Sequence, residues 1–185
     1  MATKVLICGN APTLPEELKG VNLDRFDKVT RSNHWHPIPG YDNRCDIHVI
    51  SVNQQIMDRV KHHRNRDYWV PYVSNPAIMI GYVGKPAQWM ITKWERLLSR
   101  MQIGCRYPTT GALTIWKAVR LGWDVTIAGF TFFNEHYKSE DKEDIHYFKE
   151  QEWVKPMKET RHEPSKEKKW VNKLVKKGKV KWLKF

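Results

Sequence analysis

The sequence has little cysteine and no long apolar segment. Its three cysteines, Cys8, Cys45 and Cys105, have neither the spacing of a metal site nor that of a disulfide framework, so we expect a reducing compartment. The apolar runs are only as long as strands, and Met-Ala-Thr-Lys at the start leads directly into one of them. We therefore expect no membrane-spanning helix and no secretory signal, and a cytoplasmic location.

The sequence also lacks the glycine-rich loops of dinucleotide and ATP sites. Neither G-x-G-x-x-G nor a Walker loop is present, and we find no internal repeat and no domain boundary. At 185 residues, with 41% hydrophobic residues and nine tryptophans, the chain is long enough to build one core. We predict a single domain over residues 1–185.

Acidic residues are scarce relative to basic ones, above all near the C-terminus. There are 32 Lys and Arg against 20 Asp and Glu, which gives a formal net charge of +12. Residues 155–185 contain twelve of the basic residues and three acids, so nine of the net charges lie in this tail. Such a tail favours an anionic partner: a nucleotide, an acidic glycan, nucleic acid or a membrane surface. A solvated lysine face explains it equally well.

Strand and helix patterns alternate along the chain. Short apolar runs predict strands at 4–8, 27–32, 45–52, 68–73, 124–129 and 180–183. Apolar residues at helical spacing, together with helix starts and stops, predict helices at 15–18, 91–101, 110–121 and 165–177. Residues 134–160 are charged and poorly periodic, and we expect them to be mobile, followed by a basic helix and strand over about 164–184. The alternation predicts an α/β fold with a parallel sheet.

Two polar segments follow the first two predicted strands, at the edge where open α/β sheets bind ligands. The first consists of Gly9, Asn10, Ala11, Pro12 and Thr13. Gly9 would allow a phosphate or a ribose to approach the backbone closely. Asn33 follows the second strand and can donate to a phosphate without adding charge. Each segment also fits an ordinary turn.

A third polar segment precedes the clearest predicted helix. It contains Thr109, Thr110 and Gly111. Two hydroxyls, backbone amides and the positive end of the helix make this a candidate site for a carboxylate or a phosphate. The same threonines can equally serve as the helix cap.

Two histidines near the C-terminus are candidates for acid–base chemistry. His162 lies two residues before Pro164, so it is expected just outside the last helix, whose positive end favours a neutral ring. Glu167 lies in the first turn of that helix, where it could support the helix end or orient a loop. His146 lies in the charged segment and could donate to a leaving phosphate. The chain has eight histidines, and most surface histidines have no chemical role.

Taken in order, these segments resemble the four sialylmotifs of the sialyltransferases, both the animal enzymes and the small bacterial ones. The large motif is similar to residues 5–10 continuing to 27–33, and the small motif to residues 108–113 continuing to 124–130. The third motif resembles His146-Tyr147-Phe148, and the very small motif resembles His162 with Glu167. The chain departs from the bacterial pattern at Thr131 and Phe133, and the cysteine pair of the animal motifs is not evident.

The resemblance implies a single Rossmann-like domain, with a mostly parallel sheet flanked by helices. It implies an inverting glycosyltransferase that takes sialic acid, or a related 2-keto acid sugar, from a CMP-sugar co-substrate and needs no metal or other cofactor. His162 would be the general base, and His146 would steady the departing phosphate with help from Tyr137. The remaining nucleotide-sugar contacts would come from Gly9, Asn10, Ala11, Pro12, Thr13, Asn33, Thr109, Thr110, Gly111 and Gly129.

The basic tail leaves other functions open. One stripe of the last predicted helix carries Lys166, Lys169, Lys173 and Lys176. These lysines could hold nucleic acid, which would make the protein a transferase acting on bases, or they could attach it to an anionic membrane surface. A third alternative is a binding module for nucleotides or glycans that has the fold but no activity.

Overall fold

Strands and helices alternate throughout the computed structural model, which describes residues 1–33, 35–52, 67–73, 89–132 and 162–183. The strands β1 to β7 are Lys4–Cys8, Lys28–Ser32, Ile47–Val52, Asp67–Val73, Trp89–Met90, Asp124–Ala128 and Val180–Trp182. The helices α1 to α4 are Leu14–Leu18, Lys93–Ile103, Thr110–Arg120 and Pro164–Lys176, and a short 3-10 helix spans Leu23–Arg25. Every strand and helix predicted within the described residues is confirmed to within two residues at either end, and a helix also predicted near His146 lies outside them. The strand β5 was missed, because two residues carry no periodic pattern.

The strands form one parallel sheet in the order β5-β4-β3-β2-β1-β6-β7. Every strand pair in the described part of the chain is parallel, which confirms the predicted α/β fold. The chain builds outward from β1 to β5 and then returns to add β6 on the other side of β1. Such a reversal of strand order opens a crevice at the carboxyl ends of the two central strands, which is where this type of sheet binds ligands.

The sheet is buried on both faces, as expected for parallel strands. On one face, Val5 and Ile7 of β1 belong to a cluster that also contains residues of α2, α3 and α4. On the other face, Leu6 and Cys8 belong to a cluster with Leu18 of α1 and residues of the 3-10 helix. Helices therefore cover both faces of the strands, and the carboxyl edge of the sheet remains for a site.

The helix α2 differs from the usual amphipathic helix in the direction of its apolar side. Its start is well defined, because Thr92 and Glu95 form a capping box, and Gly104 ends it in the left-handed conformation. Its buried residues are Ser99 and Ile103, whereas Trp94, which shares the apolar spacing that predicted the helix, is 74% exposed. The periodicity thus predicted the helix correctly, although the apolar stripe faces solvent. Among the described residues, no helix is both long and apolar enough to cross a membrane.

Candidate active site

The loop after β1 packs directly against the loop after β6, at the point where the strand order reverses. The backbone N–H of Gly9 donates to the Ala128 carbonyl at 2.8 Å, and the N–H of Ala11 donates to the Gly129 carbonyl at 3.1 Å. A Cβ atom at Gly9 would lie 2.1 Å from the Gly129 oxygen, so only glycine fits here. The close approach that we expected at Gly9 is therefore made by the neighbouring strand end, and no phosphate or ribose is needed to explain this glycine.

Two further glycines, Gly129 and Gly111, make close contacts at the loop after β6. Gly129 has a positive φ of 68°, and its N–H donates to a carboxylate oxygen of Glu17 at 2.9 Å. A Cβ atom at Gly111 would lie 2.6 Å from the ring of Phe130, so the start of α3 packs against the loop after β6. The predicted site residues Gly9, Gly111 and Gly129 therefore lie together, since each is placed by contact with the same loop.

Asn10 and its neighbours tie this region to the adjacent elements. The side-chain amide of Asn10 donates to the Ser32 carbonyl at the end of β2, over 3.1 Å. The hydroxyl of Thr13 donates to Glu17, and Pro12 is half-buried. Glu17 thus binds both Thr13 and the backbone of Gly129, a role that the sequence did not indicate, because its partners lie in a different loop.

Asn33 joins the ends of β2, β3 and α3. It takes the left-handed conformation, with a φ of 49°, which asparagine tolerates better than most residues. Its side-chain oxygen accepts from the Ser51 N–H at 3.0 Å, and its amide nitrogen donates to the Thr110 hydroxyl oxygen at 3.4 Å. The Asn33 carbonyl accepts from Nε2 of His48 at 2.6 Å. These contacts make Asn33 a structural junction at the predicted ligand edge.

The start of α3 lies at this edge as expected. Thr109 is the N-cap residue, and its hydroxyl oxygen accepts from the Ala112 N–H at 3.2 Å. The hydroxyls of Thr110 and Ser51 are 2.6 Å apart, which fixes the first turn of the helix against the end of β3. Ser51 was missed by the sequence analysis. Its position at the end of the third strand, corresponding to that of Asn33 on the second, is the signal that pointed to it.

The buried carboxylate of Glu167, in α4, accepts hydrogen bonds from the polar groups of Thr109. Glu167 is 2% exposed, and it accepts from the backbone N–H and from the hydroxyl of Thr109, both at 2.7 Å. Burial raises the pKa of Glu167, and the two hydrogen bonds from Thr109 act against that rise. The sequence predicted that the Thr109 amide and hydroxyl face a ligand, whereas both are already engaged by Glu167. Of the two roles predicted for Glu167, support of the helix end and orientation of a loop, these contacts fit the second.

The segment before α3 is held by two further contacts to α4. The thiol of Cys105 lies 3.9 Å from Glu167, and burial, together with the nearby carboxylates of Glu167 and Glu163, raises the pKa of Cys105 to about 12. Glu163 accepts from the backbone N–H of Arg106 at 3.1 Å. Two carboxylates one helical turn apart therefore clamp the segment 105–109 against the N-terminus of α4.

The same segment orients His162. Nδ1 of His162 lies 2.7 Å from the carbonyl oxygen of Tyr107, and the residue is half-buried just before Pro164 and α4, as predicted. A carbonyl oxygen only accepts, so Nδ1 carries a proton in this contact. In the neutral ring the lone pair then lies on Nε2, which is the nitrogen that can accept a proton from a bound molecule.

The structure brings together two of the predicted groups at the carboxyl edge. Asn33 contacts Thr110, and His162 contacts the segment that leads into Thr109. His146 and Tyr137, like the rest of the segment 134–160 that we expected to be mobile, lie outside the described residues. Ligand contacts for all the site residues therefore stay predictions, as does the expectation that no metal or cofactor is required.

Comparison with known proteins gives one family and one fold. The family model described as glycosyltransferase family 29 (sialyltransferase) matches residues 52–179. A mammalian sialyltransferase in complex with Gal-beta-1-3GalNAc-ortho-nitrophenol matches 98% of this chain and 69% of its own, with 18% identity and a TM-score of 0.61. A second crystal structure of a mammalian sialyltransferase matches 98% of this chain and 68% of its own chain, with 17% identity and a TM-score of 0.65. No curated protein matches the sequence.

Proposed function

The chain belongs to glycosyltransferase family 29, the sialyltransferases, and from this premise we propose that it moves sialic acid or a related 2-keto acid sugar from CMP to an acceptor hydroxyl. The proposal extends from the family to this chain's own residues through one observation. His162 lies at the carboxyl edge of the sheet with Nδ1 bonded to the Tyr107 carbonyl, so its basic nitrogen is Nε2.

In the proposed reaction, Nε2 of His162 accepts the proton of the acceptor hydroxyl. The acceptor oxygen forms a bond to the anomeric carbon while the bond from that carbon to the phosphate oxygen of CMP breaks. Attack from the face opposite the leaving group inverts the configuration. An imidazole whose lone pair is already oriented is well suited to this step, because it can accept the hydroxyl proton without first turning its ring. His146 would steady the phosphate of the departing CMP.

The donor would lie over the junction formed by the loops after β1, β2 and β6. Asn10 and Asn33 would contact the nucleotide phosphate and ribose, and Thr110 and Gly111 would contact the cytidine end or the sugar carboxylate. The positive end of α3 supports an anion here, because its first N–H groups point toward the carboxyl edge. Since Glu167 already engages Thr109, that residue would contribute through the shape of the loop.

Glu167 would act as a positioning residue for the base. It holds Thr109, and the carbonyl of Tyr107 two residues earlier holds the ring of His162. Glu163 adds a contact to Arg106 in the same segment. The spacing of His162 and Glu167 therefore fits one physical purpose: the helix that carries the base also fixes the loop that orients it.

The proposal is tested by donor turnover and acceptor transfer. The protein is incubated with CMP-sialic acid, with Gal-beta-1-3GalNAc-ortho-nitrophenol as a trial acceptor, and release of CMP is measured with and without the acceptor. We expect wild-type protein to release CMP and to be stabilised by CMP in thermal melting. Lack of both effects would overturn the choice of donor.

The His162→Asn variant tests the base. Its amide can still donate to the Tyr107 carbonyl, but it has no basic nitrogen, so the loop contact remains while the proton acceptor is lost. We expect kcat to fall about 10²- to 10⁴-fold with CMP binding retained. His36→Ala, at an exposed histidine, is the matched control and should keep full activity. Equal turnover by wild type and His162→Asn would refute the assignment of His162 as the base, whereas CMP binding with no turnover by either protein would support a binding module without catalysis.

A further inference from the structure

The outer side of α2 is an apolar stripe. Trp94, Leu97, Leu98 and Met101 occupy positions i, i+3, i+4 and i+7, which lie on one side of a helix. Trp94 is 74% exposed, Met101 70% and Leu97 47%. Apolar side chains aligned in water in this way mark a surface that binds something.

The neighbouring helix α4 is strongly basic on its outer side. Within the described residues, Glu163 pairs with Lys166, and Asp124 pairs with Lys181. The other lysines between 162 and 183 have no acidic partner in that part of the structure; they are Lys168, Lys169, Lys173, Lys176, Lys177 and Lys179. A groove of about 430 Å³ runs along α4 and is lined by four of these lysines together with Ser165 and Asn172.

The two helices that carry these surfaces are neighbours. The helix α2 packs against α4, and Ile103 of α2 and Trp170 of α4 belong to the same core cluster, so both helices cover the same face of the sheet. The solvent side of this helix layer therefore combines an apolar stripe with six lysines that have no acidic partner within the described residues. We refer to the stripe and the six lysines together as the α2–α4 face.

We propose that the α2–α4 face binds the surface of an anionic lipid bilayer. The lysines contact the negatively charged headgroups, and the tryptophan, leucines and methionine enter the boundary between headgroups and acyl chains. Tryptophan is well suited to that boundary, because its ring is apolar and its N–H is polar.

Other binding partners would account for either the apolar stripe or the lysines, but not for both. A second copy of the chain would cover the stripe but would bring two molecules of net charge +12 together, with the lysines of the two α2–α4 faces close to the contact. Nucleic acid would neutralise the lysines but would leave the stripe in water. A bilayer with anionic lipids accounts for both features, because it offers negative charge and an apolar layer within a few ångströms of each other.

The test is co-sedimentation of the full chain with vesicles of phosphatidylcholine, with and without phosphatidylserine. We expect binding to the phosphatidylserine vesicles that weakens with added salt. Leu97→Ser should weaken it about tenfold, because one buried leucine is lost, and Lys169→Glu with Lys173→Glu should weaken it at least about tenfold. All three substitutions replace exposed side chains, so thermal melting is expected to match the wild type.

Two matched controls distinguish binding through the α2–α4 face from non-specific hydrophobic adsorption and from an effect of net charge. Leu121 lies outside the stripe and is 46% exposed against 47% for Leu97, so Leu121→Ser should leave binding unchanged. Lys19 directly follows α1 and Arg25 ends the 3-10 helix, and both of these elements pack on the opposite face of the sheet. Lys19→Glu with Arg25→Glu therefore makes the same change in net charge without touching the α2–α4 face.

Four outcomes would overturn the proposal. The first is lack of binding to phosphatidylserine vesicles, and the second is an equal loss from the control charge reversal. The third is a dimer in sedimentation equilibrium that Leu97→Ser abolishes, which would identify a second copy as the occupant. The fourth is lysine-dependent binding to duplex DNA without binding to vesicles. Turnover of the sugar donor is measured on the same samples, so a failure here is distinguishable from a failure of the proposed activity.

Discussion

The buried carboxylate of Glu167 should leave a characteristic mark on the pH dependence of stability. Burial raises its pKa above the ordinary value of 4.5, so the folded protein holds this proton more tightly than the unfolded chain does. As the pH rises above 4.5, the folded state must either keep the proton or ionise a buried group. Glu167 therefore lowers the free energy of unfolding as the pH rises toward its raised pKa.

Glu167→Gln removes this titration while keeping the hydrogen bonds. The glutamine oxygen can accept from the Thr109 N–H, and its amide can donate to the Thr109 hydroxyl oxygen, in place of the two contacts at 2.7 Å. Near pH 4.5 the raised pKa keeps the folded wild type mostly protonated, so both side chains make neutral hydrogen bonds and the exchange costs at most about 1 kcal/mol. Against this, the variant gains at most about 1.4 kcal/mol on the wild type for each pH unit between the ordinary and the raised pKa.

Urea denaturation at a series of pH values measures the difference directly. We expect the variant to be less stable than the wild type near the ordinary glutamate pKa and to gain on it as the pH rises. A difference that is flat, or that falls with pH, would refute the assignment of a raised pKa to burial. Because the variant retains the loop contacts, kcat should fall far less than it does for His162→Asn.

Glu163, the N-cap residue directly before α4, provides a control because its pKa shifts in the opposite direction to that of Glu167. The side chain of Lys166, and then the N–H of Arg106, lower the pKa of Glu163. This carboxylate stabilises the fold above its ordinary pKa of 4.5, and the stabilisation is lost as the pH falls through its lowered pKa. Glu163→Gln should therefore lose stability relative to the wild type as the pH rises, whereas Glu167→Gln should gain.

Two further substitutions test the packing. Gly9→Ala places a Cβ atom 2.1 Å from the Gly129 carbonyl, and because both partners are backbone, we expect a loss of about 1–3 kcal/mol in urea denaturation; unchanged stability would contradict the tight packing of the two loops. Arg31 is 1% exposed; its Nε donates to the Arg44 carbonyl at 3.3 Å and its guanidinium lies 5.3 Å from the centre of the Trp35 ring, whereas Nη1 and Nη2 have no hydrogen-bond partner among the described residues. Arg31→Met should therefore be close to neutral in thermal melting, because the variant removes a buried charge that is only partly compensated, together with its contacts to Arg44 and Trp35; a large drop in Tm would show that these contacts outweigh the cost of burying the charge.

Local patterns predicted most of the fold. The helix α3 follows from its apolar spacing and from Thr109, whose cap contact with Ala112 needs only neighbouring residues. The strand β1 follows from a short buried run that ends at Gly9. The order of the sialylmotif-like segments along the chain also pointed to the right family, because each segment ends a strand or begins a helix.

The direction of a helix face was beyond the reach of the sequence. The spacing of Trp94, Leu97 and Leu98 predicted that these residues share one side of α2, and it did so correctly. It did not reveal that this side faces solvent while Ser99 and Ile103 are buried. Periodicity fixes which residues lie together on a helix, whereas the packing of neighbouring helices decides which side is covered.

Contacts between distant residues decided the rest of the site. The bond between Glu167 and Thr109 joins residues 58 positions apart, and that between Asn33 and Thr110 joins residues 77 apart. Neither pairing follows from local spacing, so the sequence predicted threonine groups facing a ligand where the structure has Thr109 bound to a buried carboxylate.

The sequence by itself thus determined the strands, the helices and the edge of the sheet at which the polar segments gather, because these depend on residues that are near neighbours in the chain. Tertiary structure decided which of those polar groups are already engaged. It also decided which nitrogen of His162 carries the proton. The proton lies on Nδ1 because that atom is 2.7 Å from the carbonyl oxygen of Tyr107, a residue 55 positions away in the chain.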